Sequence, residues 1–356
     1  MAFSLVDLLT PNREFSEVEN KYLATIPKFT LEGLLDNTYS AKFEEYVNDQ
    51  FVLRDRFIDL KSRCEFLLLK IENNGIIYGA DGRMYQKLTT INEDRLERNL
   101  EFVRIFAEAV DTPVTFALVP DAFAVDPEYL PAGAPLIDEA AYLAHSYGQL
   151  GTADLRTMDL LPVMQAHNQA YIYYRTDHHW TTDGAYLFYR EYMSRLGLTA
   201  VELTDLSPVY VPGFFGTHYN KAKSFNAVAD TITYYPIDNV RLALNDQVYD
   251  NLYNQDAFAG HNKYAAFLYD NTGLAIVQNV EPVNGGRRLL LIKDSFANAL
   301  VPFLTQNFDE IVVIDLRYFG QTTMSEYLAD NAFDEILVMY GFSTFATDTN
   351  VARISY

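Results

Sequence analysis

The sequence lacks several features that would each indicate a particular class of protein. Among 356 residues there is one cysteine, Cys64, which excludes an intramolecular disulfide and a cysteine zinc cluster. No run of 18 apolar residues occurs, so no segment is expected to span a membrane. Glycine-rich phosphate-binding motifs are also missing, and no nucleotide or other cofactor is expected.

Basic residues are scarce as well. The chain carries 27 Lys and Arg against 48 Asp and Glu, which gives a formal net charge of -21. This charge argues against a nucleic-acid partner and against a polybasic anchor to anionic lipid. The remaining composition, 49% hydrophobic and 21% charged, is ordinary for a folded globular protein.

The chain divides by composition into an arm and one larger domain. Residues 1–36 are predicted to be an irregular N-terminal arm, because Pro11 and Pro27 interrupt them. Apolar residues recur at helical spacing over 39–72, and residues 203–285 form a polar, Tyr-rich segment that we interpret as a long insertion around a site. We therefore expect a single domain over 37–356 that includes this helix and this insertion.

Strands and helices alternate in the rest of the domain. After residue 287 the pattern predicts strands at 288–292, 310–316 and 335–340, separated by helices at 295–307 and 323–331. Upstream it predicts a strand at 114–119, a helix at 159–168, a strand at 170–174, and a helix capped by Thr182. Unalternating apolar strands between helices indicate a three-layer α/β/α domain with a parallel sheet.

Two short blocks carry the chemistry. Residues 173–181 contain an acid, two of the six histidines and the only tryptophan, and residues 289–298 run from an apolar strand into Ser295. In an extended segment Asp177 and His179 lie on one side, so Asp177 can fix the tautomer of His179. Ser295 is expected at a strand-to-helix junction, where free backbone N–H groups could bind an oxyanion. The two blocks together predict a Ser-His-Asp relay for acyl transfer.

Other residues near these blocks have two interpretations each. Trp180 is either a wall of the site or part of the core, and His178 is either structural or a substrate contact. Asn271 is either an oxyanion donor or a core or turn residue. Arg317 and Tyr318 either bind a sugar or carboxylate, or Arg317 pairs with a nearby acid.

The Asp-His-His run also raises the question of a metal, for which His218 and Asp230 could supply further ligands. Adjacent residues rarely coordinate one ion together, and no ligand-pair spacing supports a metal site. We therefore predict that no metal is bound.

Tyr173 to Thr181, followed by Gly184-Ala185, resembles the signature of the bacterial DHHW proteins. Further similar pieces extend over nearly the whole chain: Asn12-Arg13, Phe15-Ser16-Glu17, Glu19-Asn20, Asn74-Gly75, Tyr78-Gly79, Gly216-Thr217, Ile292 to Ser295 and Pro302-Phe303-Leu304. That family is related to the SGNH-hydrolase-like alginate O-acetyltransferases of bacterial cell envelopes. Two departures are Lys293, where the SGNH block usually has Gly, and the lack of a clear Gly-x-Asn-Asp block.

The resemblance implies Ser295 as nucleophile, His179 as general base and Asp177 as its orienting acid. It implies that an acetyl group moves through an acyl-serine onto hydroxyls of an extracellular or cell-wall polysaccharide. A membrane-bound O-acyltransferase would supply the acetyl groups. We expect a protein outside the cytoplasm, at the cell surface or anchored by an N-terminal segment that this sequence lacks. The alternatives are a carbohydrate acetylesterase with the same residues and a non-catalytic polysaccharide-binding protein.

Overall fold

An eight-stranded sheet lies at the centre of the computed structural model, which describes residues 10–16, 21–150, 155–320 and 322–355. In chain order the described strands are β1 Phe15–Ser16, β2 Lys21–Tyr22, β3 Glu72–Asn73, β4 Ile76–Tyr78, β5 Met84–Gln86, β6 Val114–Val119, β7 Leu155–Asp159, β8 Val209–Phe214, β9 Asp230–Tyr234, β10 Val240–Leu244, β11 Gln247–Tyr249, β12 Leu274–Asn279, β13 Arg288–Lys293, β14 Glu310–Ile314 and β15 Glu335–Gly341. The central sheet has the order β11-β10-β12-β14-β13-β15-β6-β7.

Five neighbouring strands of this sheet, β14, β13, β15, β6 and β7, are parallel. Every residue of β6 and β15 is buried, as are five of the six residues of β13. Continuous burial along a strand requires that both faces of the sheet are covered. The predicted α/β fold is confirmed.

The sequence predicted a parallel sheet, but the sheet is mixed. β12 pairs antiparallel with β14, and β10 and β11 extend the same edge in antiparallel register. All three strands come from the segment that we interpreted as an insertion. Buried positions alternate with more accessible ones along β10, which is the pattern of an antiparallel strand with one face accessible to solvent.

The described helices are Leu31–Leu35, Thr38–Gln50, Arg54–Leu67, Glu93–Ala109, Ala122–Val125, Glu139–Leu150, Leu161–Gln165, Thr182–Arg195, Thr217–Ala222, Gln255–Ala259, Val301–Leu304, Met324–Asp330 and Phe342–Phe345. The single helix predicted over 39–72 is therefore two helices, because Leu53 between them adopts a left-handed conformation with φ 63°. The helix predicted over 295–307 begins as a 3-10 helix, Ser295–Ala299, ahead of Val301–Leu304. None of the described helices is both long and apolar enough to cross a bilayer.

Two further predictions differ from the structure near the functional block. The strand predicted over 170–174 is a single antiparallel bridge between Tyr173 and Trp180. The helix predicted over 159–168 is the shorter Leu161–Gln165, which follows edge strand β7. Residues 1–9 and 17–20 of the predicted arm lie outside the described residues, and the division into arm and domain stays a prediction.

The carboxyl ends of three adjacent strands lie at one edge of the sheet. β13, β15 and β6 are neighbours, and shortly after they end the chain reaches Ser295, Ser343 and Asp121. Open α/β sheets bind their ligands beyond this edge. The fold thus brings three polar residues from distant parts of the chain to one region.

Candidate active site

A short loop presents the Asp-His-His-Trp block. The Tyr174 N–H donates to the His179 carbonyl at 3.2 Å, and the Thr181 N–H donates to the Ile172 carbonyl at 2.8 Å. The helix Thr182–Arg195 follows at once. Its N-cap is Thr181, which accepts from the Gly184 N–H at 3.3 Å, so the predicted cap at Thr182 was wrong by one residue.

Three side chains from the two blocks form a continuous hydrogen-bonded chain. His179 Nδ1 lies 2.6 Å from Asp177 Oδ1, and His179 Nε2 lies 2.8 Å from Ser295 Oγ. Asp177 and His179 are buried, whereas Ser295 remains partly accessible. The structure therefore brings together the three residues on which the sequence prediction depended.

Asp177 is held as an ionised acceptor. Burial alone would raise the pKa of Asp177, but the neighbouring His178 and His179 imidazoles and its hydrogen bonds hold it well below 3.8. Since an ionised carboxylate only accepts, His179 Nδ1 must carry the proton that it donates to Asp177. His179 Nε2 is then left with a lone pair for the Ser295 hydroxyl.

The predicted insertion supplies the second support of Asp177, which sequence reasoning missed. The Thr217 N–H donates to Asp177 Oδ2 at 2.7 Å. A Cβ atom added at Gly216 would lie 2.2 Å from the Asp177 Cβ, so no larger residue fits here without movement. The signal in the sequence was the Gly216-Thr217 pair, which appeared only as part of the family resemblance.

Asp230 fixes the backbone immediately before Asp177. This buried carboxylate accepts from the Thr176 N–H at 2.9 Å, from the Thr176 hydroxyl at 2.5 Å and from the Arg175 N–H at 3.0 Å. The Tyr171 hydroxyl donates to it as well. Asp230, considered as a metal ligand in the sequence, thus anchors the loop from strand β9.

Two aromatic residues position His179 and Ser295. The Tyr264 ring stacks on the His179 imidazole at 3.8 Å between centroids, and its hydroxyl donates to the Ser295 carbonyl at 3.2 Å. Trp180 is fully buried, and its indole N–H donates to the Phe296 carbonyl at 3.0 Å. Trp180 therefore belongs to the core and connects the two blocks, and it is not a wall that substrate could touch.

Asp294 caps the start of the 3-10 helix that carries Ser295. Its carboxylate accepts from the Phe296 N–H at 3.0 Å and from the Gly341 N–H of β15 at 2.8 Å. Within the described part of the chain, the Ser295 N–H has no hydrogen-bond acceptor. This N–H therefore remains available to an oxyanion.

The other predicted site residues form a separate polar network. Buried Lys293 donates to Asn271 Oδ1 at 2.8 Å and to Asn298 Oδ1 at 2.7 Å, and lies 3.6 Å from an Asp315 carboxylate oxygen. Burial lowers the pKa of Lys293 to about 8. The Asn271 oxygen is thus engaged, and none of the hydrogen bonds among the described residues joins Asn271 to Ser295 or His179. Its role as an oxyanion donor stays a prediction.

Arg317 forms an ion pair with Asp315, as the second of its two interpretations predicted. Its guanidinium donates to both Asp315 carboxylate oxygens, at 2.9 and 2.6 Å. The same guanidinium lies 5.4 Å from the centre of the Tyr318 ring, which is 59% exposed. A sugar contact of Arg317 or Tyr318 stays a prediction.

Asp177, His178 and His179 could together be considered for a metal, since each has a ligand atom within 4.8 Å of the others. The hydrogen bonds of Asp177 to His179 and to Thr217 already use its two oxygens. A tetrahedral zinc site needs further ligands from other segments. The arrangement suits a proton relay better than a metal.

Known proteins resemble this chain both in sequence, over the segment that contains Asp-His-His-Trp, and in fold. The family model described as "DHHW protein" matches residues 149–314, and that of the SGNH hydrolase-like domain of acetyltransferase AlgX matches residues 78–209. The resemblance to the DHHW family is confirmed. A DHHW family protein from Eubacterium siraeum has a similar structure, with a TM-score of 0.68, 23% identity, and coverage of 80% of this chain and 96% of that one.

Two further proteins are also similar to this chain. Bacillus cereus PatB1, whose structure carries a sulfonyl adduct, superimposes with a TM-score of 0.64 and 21% identity, over 79% of this chain and 98% of that one. The probable alginate O-acetylase AlgJ of Pseudomonas syringae pv. tomato is 24% identical over 160 residues, which are 43% of this chain and 41% of that protein. The match thus spans less than half of the AlgJ length, and the structural likenesses establish a shared fold.

Substitution of Gly216 tests whether its contact positions Asp177. In the Gly216→Ala variant the new methyl group must displace the carboxylate, and misplacement by about 1 Å should lower kcat/KM for a small acetyl ester by about 100-fold. The measurement is steady-state hydrolysis together with thermal unfolding. Gly148→Ala is the matched control, because nothing lies within 4 Å of a Cβ atom there. Unchanged hydrolysis by a folded Gly216→Ala protein would contradict the positioning role.

Chelation tests the prediction that no metal takes part. Dialysis against EDTA should leave hydrolysis of a small acetyl ester unchanged, because the Asp177 oxygens are engaged in hydrogen bonds. Activity that is lost on dialysis and returns with zinc would require a metal site at Asp177, His178 and His179.

Proposed function

We propose that the chain is a serine acyltransferase that moves an acetyl group onto a hydroxyl of a polysaccharide outside the cell. One observation carries the proposal: His179 lies between Asp177 and Ser295, at 2.6 and 2.8 Å. A buried carboxylate, an oriented imidazole and an accessible hydroxyl at the end of a parallel strand are the components of nucleophilic acyl transfer.

The first half of the proposed reaction forms an acyl-serine. His179 Nε2 takes the proton of Ser295 Oγ while Oγ bonds to the acetyl carbonyl carbon, and the carbonyl oxygen becomes an oxyanion. The free Ser295 N–H is available to stabilise this charge. The tetrahedral intermediate then expels the donor's oxygen, which takes the proton back from His179. Asp177 stabilises the imidazolium throughout.

The second half repeats these steps with an acceptor. A sugar hydroxyl loses its proton to His179 Nε2 and attacks the acetyl carbon of the acyl-serine. Collapse of the second tetrahedral intermediate releases the acetylated sugar, and Ser295 Oγ recovers the proton. Water in place of the sugar would release acetate, so the same residues would serve a carbohydrate acetylesterase.

The relatives support the choice of a polysaccharide acceptor. One family model that matches this chain describes an acetyltransferase domain, and the AlgJ relative is named a probable alginate O-acetylase. By the same resemblance we propose that a membrane-bound O-acyltransferase supplies the acetyl groups and that the protein acts outside the cytoplasm. The net charge of -21 is consistent with an acceptor other than nucleic acid.

Variants of the relay test the mechanism. Ser295→Ala and His179→Ala should each lower kcat for a chromogenic acetyl ester by at least about 10³-fold, because the relay acts as one unit and fails when either residue is missing. Asp177→Asn should cost less, because the nucleophile and the base both remain. Ser325→Ala, on an exposed position of the helix Met324–Asp330, is the matched control and should retain activity. Undiminished hydrolysis by a folded Ser295→Ala protein would overturn the proposal.

Product analysis separates the transferase from the esterase. The protein is incubated with an acetyl ester and glycan oligomers, and the products are weighed by mass spectrometry. We expect oligomers heavier by one or more acetyl groups, and none with Ser295→Ala. Release of acetate alone across all oligomers would instead identify an acetylesterase.

A further inference from the structure

A buried lysine closes the turn that carries Ser295. Lys293 Nζ donates to Asn298 Oδ1 at 2.7 Å, and these two residues lie on either side of Ser295 in the chain. The same ammonium group donates to Asn271 Oδ1 at 2.8 Å, and this oxygen also accepts from the Asn298 amide at 3.3 Å. Lys293, Asn298 and Asn271 therefore form a closed ring of hydrogen bonds, the lysine clamp.

The helix that begins at Ser295 depends on support from outside itself. Ser295–Ala299 is a 3-10 helix, whose hydrogen bonds have poorer geometry than those of an α-helix. Asp294 caps its first turn, and the Tyr264 hydroxyl holds the Ser295 carbonyl. The lysine clamp holds Asn298 near its other end. Without the clamp this end would be freer to move, and the Ser295 side chain would move with it.

The backbone ahead of Asn271 is strained. Leu268, Tyr269 and Asp270 have φ of 53°, 57° and 75°, so three consecutive residues other than glycine adopt the left-handed conformation. Each of them costs free energy, and such a run persists only where surrounding contacts fix it. The bonds of Asn271 to the other two members of the clamp are among these contacts. Strain of this kind is typical of segments that hold a functional group in place.

Stability alone does not explain a lysine at this buried position. Burial of the ammonium group is unfavourable and lowers the pKa of Lys293 to about 8. Asp315, at 3.6 Å, offsets part of this cost, although the Arg317 guanidinium already pairs with it. An apolar side chain of similar volume is often at least as stable as a buried charge. The lysine adds directed hydrogen bonds to the 3-10 helix and to the loop before β12 at the same time.

We propose that Lys293 is a positioning residue, which through Asn298 and Asn271 holds the Ser295 hydroxyl at hydrogen-bond distance from His179. The inference rests on the proposed function and adds a residue to the machinery of the reaction. Lys293 acts through the turn and not on the substrate. The clamp uses the amide oxygen of Asn271 and is separate from the donor role predicted for its amide nitrogen.

The imidazole of His179 reports the position of Ser295 without turnover. In protein with ¹⁵N-labelled histidine, the His179 Nε2 resonance depends on the hydrogen bond from Ser295 Oγ, and Ser295→Ala gives its position when that bond is lost. At pH 7, Lys293→Met should move this resonance from the wild-type position towards that of Ser295→Ala. Lys293→Met should fold, because Asp315 keeps Arg317 as its partner. A wild-type resonance in the folded Lys293→Met protein would overturn the proposal.

Asn271 offers a matched pair of variants. Asn271→Asp keeps an oxygen that accepts from Lys293 and should leave the His179 Nε2 resonance in place, whereas Asn271→Leu removes the acceptor and should shift the resonance. Asn99→Leu is the control for the loss of a buried amide and should cause no shift, because Asn99 bonds to two backbone carbonyls elsewhere in the molecule. Equal resonances in the two Asn271 variants would contradict the clamp, and this pair decides the question even if Lys293→Met does not fold.

Kinetics separate positioning of the nucleophile from binding of the ester. With a small acetyl ester, Lys293→Met should lower kcat by about 10–100-fold, as expected for a displacement of up to about 1 Å, and leave KM nearly unchanged. A raised KM with an unchanged kcat would contradict the positioning role. If the wild-type protein does not hydrolyse the ester, the proposed function fails while the His179 resonances still test the clamp, so the two proposals fail in distinguishable ways.

Discussion

The buried Asp177 carboxylate is the interaction on which the arrangement of the site depends. It accepts hydrogen bonds from His179 on one oxygen and from the Thr217 N–H on the other, and Gly216 packs against its side chain. A buried charge is tolerated only when it is fully hydrogen-bonded, so these contacts cannot be lost one at a time without penalty. The same carboxylate fixes the proton of His179 on Nδ1 and leaves Nε2 free to accept from Ser295.

The second constraint is the connection between the two blocks, which are more than a hundred residues apart in the chain. The Trp180 indole bonds to the Phe296 carbonyl, and the Tyr264 hydroxyl bonds to the carbonyl of Ser295 itself. Asp294 ties the turn at Ser295 to β15. Rigid side chains thus set the distance from His179 to Ser295, and positioning of this kind accounts for much of the advantage of an enzyme site.

Sequence reasoning could predict the features that local pattern and chemistry determine. The parallel strands β6, β13 and β15 are mainly apolar and show no polar alternation. The i, i+2 spacing of Asp177 and His179 already indicated a shared side. Sequence reasoning could not predict which distant residues would pack against these strands and against Asp177 and His179. Strand β12 pairs antiparallel with β14, which lies more than 30 residues later in the chain. The contacts of Gly216-Thr217, Asp230 and Tyr264 with the Asp-His-His-Trp loop form only when the segment 203–285 folds back onto that loop.

The proposed relay requires that the Ser295 hydroxyl is a nucleophile activated by His179. Incubation with a sulfonyl fluoride, followed by digestion and mass spectrometry, should place a single covalent adduct on the peptide that contains Ser295. In the His179→Ala protein the rate of labelling should fall by orders of magnitude, because the hydroxyl loses its base. Labelling of a different residue, or labelling at Ser295 that is just as fast without His179, would contradict the proposed relay.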